Sequence, residues 1–251
     1  MDLGRLEESL ASYSRALQLD PNHADALNNR GSYLMEARQY EAAAKDFEHL
    51  EAIAPDYAYA RGLLMHARMH CCNWDGLDGL VGKIEAGIRE GKRVCNPFSY
   101  LAVATDPLLT QKCAQIHAQH LAPARSSVAS ARRAPNKKIR VGYLSGEFRA
   151  QATSYLMAGV YEHHDKTQFE IYAFDNGSND GSPTRSRMEH AFDQIIDIRR
   201  MRDDSAAHFI AGQQIDILVN LNGYFGLPRN GVFAHKPAPI QVNYLGFPAT
   251  I

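Results

Sequence analysis

Three short runs in the second half of the chain place hydroxyl, amide and flexible backbone groups where apolar segments end. Thr153 and Ser154 follow VGYLSGEF and precede an amphipathic stretch, so they offer hydroxyls to a ligand or an N-cap to a helix. Asn220, Asn222, Gly223 and Tyr224 close the apolar run IDILVNL. Amides at the carboxyl end of a buried parallel strand lie where open α/β sheets bind ligands, and the same residue types also make turns. Leu245, Gly246, Phe247 and Pro248 end the last apolar run. A glycine there permits close backbone approach, and a strand-ending turn is the plainer use. Asp203, Asp204 and His208 could bring acid–base groups to the same edge, although a solvated helix start accounts for the aspartates. His163 and His164, next to Asp165, are expected at the surface, and spacing assigns no role to His235.

Metal and dinucleotide chemistry are less well served. His66 and His70 are four apart on an expected helix with Cys71 following, and Cys113 and His117 repeat that spacing. Such pairs on amphipathic helices are more often core or surface residues, so no metal site is expected. Cys71, Cys72, Cys95 and Cys113 have no CxxC spacing and read as free thiols. GYLSGEFRAQATS lacks the G-x-G-x-x-G pattern and GSNDGSPT lacks the lysine of a P-loop, which argues against NAD and ATP. A net charge of -1 provides no field for nucleic acid or anionic membrane. No apolar run approaches the roughly 18 to 20 residues of a membrane span, and the opening MDLGRLEESL is not signal-like. A cytoplasmic protein without nucleic-acid or membrane partners is expected.

The elements that must position these residues change character along the chain. Residues 138–251 alternate five short apolar segments, KIRVGYLS, FEIYAFD, QIIDI, IDILVNLN and PIQVNYLG, with helix-compatible stretches. That pattern predicts one Rossmann-like, doubly wound parallel sheet with helices on both faces, and an α/β fold class overall. Before it, Tyr13, Ala16 and Pro21 are matched by Phe47, Leu50 and Pro55 at a spacing of 34 residues, the tetratricopeptide (TPR) period. Residues 1–57 are expected to form all-α repeats, the first one incomplete: helices over about Leu3–Leu19, Ala24–Arg38 and Tyr40–Ala54. Small Gly31 and Ala43 let two helices approach, Phe47 fills the space between them, and a proline stops the second helix. Residues 58–123 continue as TPR-like helices. Residues 124–137, with Arg132, Arg133 and Lys137 but no interleaved aromatics, read as a linker rather than a nucleic-acid patch.

The combination VGYLSGEF, ATSYLM, IDILVNLNGY and KPAPIQVNYLGFPAT resembles the catalytic domain of the O-GlcNAc transferase and SPINDLY-like protein glycosyltransferases over residues 137 to 251. The repeats and HARMHCCNWDGL match the same family's architecture. The resemblance implies transfer of N-acetylglucosamine from UDP-N-acetylglucosamine (UDP-GlcNAc) to protein serine or threonine, by an inverting, metal-independent hexosyltransferase of two Rossmann-like lobes, a GT-B fold. It implies no cofactor beyond the donor substrate, and protein acceptors bound through the repeats. The residues it places at the site are Thr153, Ser154, Asn222, Tyr224, Leu245, Gly246 and Pro248.

Two departures accompany the resemblance. The family's active-site histidine, two residues before the Thr-Ser pair, is matched here by Gln151, which hydrogen-bonds but cannot take a proton near pH 7. The sequence also stops at FPATI, so the chain is expected to carry the first half of the catalytic domain, to be inactive alone, and to bind the UDP-sugar only with a second lobe. A helix without its hairpin mate at the start makes self-association an expectation. The alternative is a non-catalytic TPR binding module with a degenerate transferase lobe.

Overall fold

The computed structural model describes residues 3–121, 126–128 and 138–247, and the chain divides into two compact units, Met1–His117 and Ala118–Ile251. In the first unit, α1 (Leu3–Leu19), α2 (Ala24–Glu36) and α3 (Tyr40–Ile53) follow the 34-residue register. Then come α4 (Ala60–His70), α5 (Leu77–Arg89), α6 (Pro97–Leu101) and α7 (Pro107–Leu121), the last running across the division. Helix α2 ends two residues before the expected Arg38, because Arg38 itself turns left-handed at φ 59° and breaks the hydrogen-bond ladder. The unit is closed by apolar packing of Phe47, Leu50, Met65, Ile84, Ile88 and Tyr100, all fully buried. Its tightest joint is the one the repeat pattern marks: a Cβ on Gly31 would lie 2.7 Å from the Phe47 ring. Ion pairs Arg30–Asp46 and Arg68–Glu48, each closing at 2.6 Å, tie α3 to its neighbours α2 and α4.

The second unit is a five-stranded parallel sheet of β1 (Ile139–Ser145), β2 (Phe169–Asp175), β3 (Gln194–Asp197), β4 (Ile217–Asn220) and β5 (Ile240–Asn243), in the order β3-β2-β1-β4-β5. Between them run α8 (Ala152–Glu162), α9 (Pro183–Ala191), α10 (Asp203–Gly212) and the short α11 (Asn230–Ala234). Side-chain alternation divides the core by face. Val141, Tyr143, Ile171 and Val219 pack with Met157, Tyr161 and Met188 of α8 and α9. Leu144, Tyr172, Phe174 and Leu218 pack with Ala206, Ala207 and Ile210 of α10. The central strands are thus apolar on both sides, as the runs predict. Edge strand β5 differs, with Ile240 and Val242 largely exposed.

The last three strands are shorter than their apolar runs. β4 stops at Asn220 because its own side chain accepts the next free N–H groups, those of Asn222 at 3.1 Å and Gly223 at 3.0 Å, folding the chain into a turn. The linker expected over residues 124–137 lies mostly outside the described residues. Within the described part, Val128 N donates to the His235 carbonyl and Ser127 Oγ to that of Lys236. Among the described residues, no helix is long and apolar enough to cross a membrane.

Two outcomes follow from this packing. Gly31→Ala forces the Phe47 ring from a filled site and is expected to destabilise the helical unit by about 1–3 kcal/mol in urea unfolding, with Phe47→Leu in the same chain restoring part of the loss. His164 is half-buried with Nε2 2.8 Å from the Tyr143 hydroxyl, and burial, aided by the Lys166 charge, lowers its pKa. The unfolded chain then binds that proton more tightly than the folded one. Stability is therefore full above the unfolded histidine value of about 6.5 and falls as pH drops through the lower folded value. Urea midpoints measured across this window should decline less steeply in His164→Gln.

Candidate functional site

In the observed strand order, β1 leads to β2 and β3 on one side, while β4 and β5 lie on the other. The order in which strands are added therefore reverses between the parallel neighbours β1 and β4, and the crevice outside their carboxyl ends is where an open α/β sheet binds ligands. Gly146 and Glu147 leave β1 there, and Leu221 to Tyr224 leave β4.

One asparagine joins the two loops. Asn222, fully buried, accepts the Gly146 N–H at 3.1 Å through Oδ1 and donates through Nδ2 to the Phe225 carbonyl at 3.2 Å. Beside it, Asn220 Nδ2 donates to Asn230 Oδ1 and Asn230 Nδ2 to the Gly223 carbonyl, each at 3.0 Å. Asn222 therefore ties the two loops together from within the crevice.

A second buried anchor, Glu147, holds the start of α8. Its carboxylate accepts the Thr153 hydroxyl, and its backbone carbonyl accepts the Ser154 hydroxyl at 2.5 Å. The N-cap role expected of Thr153 and Ser154 is corrected here: both lie inside α8, buried, with their hydroxyls directed to Glu147. The N-cap position is Gln151, exposed and making no side-chain capping bond, at the helix start that Glu147 anchors. Next to it, Asp180 accepts the Ala150 N–H at 3.0 Å. That bond and those from Ser182 hold the Asp180 carboxyl at about 2.

The LGFP segment completes this edge. Gly246 passes so close to β4's exit that a Cβ would overlap the Leu221 carbonyl, so its close approach is to the chain's own backbone. Leu245 is forced to φ 66°, a left-handed conformation a bulky residue rarely adopts, and its side chain stays exposed. Phe247 is buried against the half-buried Tyr224 ring, 5.2 Å away edge-on. Pro248 lies outside the described residues.

Bonds, buried contacts and backbone proximity thus make Thr153, Ser154, Asn222, Tyr224, Leu245 and Gly246 one contiguous edge, with Gln151 at its exposed rim. Asp203, Asp204 and His208 do not join it. Asp203 pairs with Arg229 at 2.5 Å, Asp204 accepts the N–H of the adjacent Ser205 at 2.7 Å within the first turn of α10, and His208 bonds back to the Asp204 carbonyl. His163 is exposed, as expected; His164 is not, since Tyr143 partly covers it. The sequence reading missed Glu147 and the buried Arg185, which pairs with Asp175 and donates to the Phe148 carbonyl at 3.2 Å. The available signal was a carboxylate two residues after an apolar strand. Among the described residues, no group of three or more His, Cys, Asp or Glu side chains could hold a metal ion.

Residues 105–251, more than half of the chain, match the profile of Glycosyl transferase family 41, and residues 1–37 and 24–57 match TPR and tetratricopeptide repeat profiles. The chain is 30% identical over 203 residues to the probable UDP-N-acetylglucosamine–peptide N-acetylglucosaminyltransferase SEC of Arabidopsis thaliana, covering 74% of this chain and 21% of that protein. It is 37% identical over 115 residues to the UDP-N-acetylglucosamine–peptide N-acetylglucosaminyltransferase of Caenorhabditis elegans, covering 45% and 10%. The chain thus spans about a fifth or less of these relatives. A solved Thermobaculum terrenum O-GlcNAc transferase mutant has the same fold, with TM-score 0.65 and 24% identity over 97% of this chain and 48% of that one.

The Glu147 anchor is tested by truncation. Glu147→Ala leaves the buried Thr153 hydroxyl without its acceptor and should lower stability in urea by about 1–3 kcal/mol, with Glu147→Gln costing less because an amide oxygen still accepts.

Proposed function

This chain belongs to glycosyltransferase family 41, and from that premise we propose that it contributes one lobe and the substrate-presenting repeats of a protein O-linked N-acetylglucosaminyltransferase. The donor is UDP-GlcNAc and the acceptor a serine or threonine of a protein held by the helical unit. In the reaction the acceptor oxygen bonds to the sugar C1 from the face opposite UDP. The bond from C1 to the diphosphate breaks with its electron pair going to UDP, and the hydroxyl proton passes to a base or water. The transfer inverts the anomeric carbon and uses no metal at the reacting centre. The observation that carries this reading is the coincidence of the family match with the crevice between β1 and β4.

Within that reading the chain's residues divide their work. Glu147 and Asn222 fix the loops, and Tyr224, Leu245 and Gly246 form the wall facing the donor sugar. At the exposed helix start, Gln151 orients the reacting groups through its amide, since it cannot act as a general base near pH 7. That glutamine also favours a second reading, a protein-binding module without turnover.

The two readings are separated by transfer of labelled N-acetylglucosamine from UDP-GlcNAc to a Ser/Thr peptide, comparing the native gene product with its Gln151→His form from about pH 5 to about pH 9. A histidine acting as base should raise the rate about a hundredfold to ten-thousandfold, with a pH profile following its titration. Absence of transfer in both forms, with peptide still bound, sinks the enzyme reading and supports the binding module.

A further inference from the structure

The helical unit holds a cluster that glycosyl transfer leaves unused. His66 and His70 lie on one face of α4, and their Nε2 atoms are 3.1 Å apart. The His70 ring stacks on Tyr40, the first residue of α3, with centroids 4.3 Å apart and planes at 12°. The Phe98 ring meets His66 edge-on at 6.4 Å. His70 is exposed and His66 half-buried, so solvent reaches the pair while the aromatic neighbours hold the rings.

Two neutral imidazoles so placed share one N–H···N hydrogen bond, one ring donating and the other accepting. A tetrahedral Zn²⁺ bound at about 2.0–2.1 Å by two imidazoles keeps their nitrogens about 3.3 Å apart. Exchanging the shared proton for an ion therefore needs only a few tenths of an ångström and a small tilt of the rings. The donating ring moves its proton to Nδ1, and both Nε2 lone pairs then face the metal.

We infer that His66 and His70 form a chelating site for a divalent late transition-metal ion, with water in the remaining coordination positions. Imidazole donors favour Zn²⁺ and Cu²⁺ there. This departs from the sequence expectation of no metal site, because spacing alone does not reveal that the two Nε2 atoms converge. The neighbouring groups are otherwise engaged: Cys71 Sγ points back to the carbonyls of Ala67 and Arg68 at 3.4 and 3.5 Å, and Arg68 is paired with Glu48 at 2.6 Å. A two-ligand site with open positions suits a clamp rather than catalysis. The ion bridges one turn of α4, and the Tyr40 stack extends that restraint to α3.

The test is calorimetric titration of the metal-free full chain with Zn²⁺ alone, followed by thermal unfolding. We expect saturable binding of one ion per chain and a rise in unfolding temperature. His66→Gln and His70→Gln should weaken binding more than about tenfold, while Cys71→Ser and Cys72→Ser leave it unchanged. Unchanged affinity in His70→Gln, abolished binding in Cys72→Ser, or no saturable binding up to about 1 mM overturns the proposal. Should a histidine variant fail to fold, long-range ¹⁵N–¹H spectra of the native chain decide: Zn²⁺ must shift both Nε2 resonances, and unmoved resonances refute the site.

Discussion

The buried Asn222 amide is the interaction on which the lobe's working edge depends. It sits where β1 and β4 diverge, and its oxygen and nitrogen are each spent on a loop that would otherwise leave the sheet independently. Leaving a buried polar group unpaired costs about 1–3 kcal/mol, so neither loop can move without breaking a bond that water does not readily replace. Asn220 and Asn230 extend the same restraint along the β4 exit, and Gly246 is pressed onto the result. The edge at the carboxyl ends of β1 and β4 is therefore a set of backbone turns held by internal amides.

That arrangement separates residues that hold the edge from residues that present it. Asn222, Glu147, Thr153 and Ser154 are buried and bonded to one another's loops. Gln151 and Leu245 are exposed, and Tyr224 is half-buried at the same place. Leu245 adopts a left-handed backbone, a conformation maintained only where the surroundings over-determine it, and here Gly246 and Phe247 supply that constraint. The bonds that keep the crevice in shape thus lie in the buried set, and the exposed rim, Gln151 included, can differ in residue type without breaking them.

The helical unit follows a different rule, steric fit in place of buried amides. Gly31 leaves room for the Phe47 ring, and Gly62 lies so close to Cys95 that an added Cβ would stand 2.7 Å from its Cα. Such joints set how closely successive helices approach, and they do so through volume, to which close-packed interiors are sensitive at the scale of a single methyl group. The packing of α3 against α4 in turn brings Tyr40 onto His70.

Periodicity determined the elements. The 34-residue repeat located α1, α2 and α3 within two residues, and the five apolar runs named all five strands, because burial of one helix stripe or both sheet faces leaves a regular trace in residue type. Resemblance singled out Thr153, Asn222 and Gly246, which lie together at the edge of the crevice. What neither periodicity nor resemblance revealed was the partner of each polar group: hydroxyls that read as caps turn inward to Glu147, the Asn222 amide binds Gly146, and two histidines four apart converge on one point. Tertiary structure decided these because a polar side chain's role is fixed by which partner lies within hydrogen-bonding distance. That partner comes from a distant segment, 76 residues away for Gly146 and Asn222, and local spacing carries no record of it.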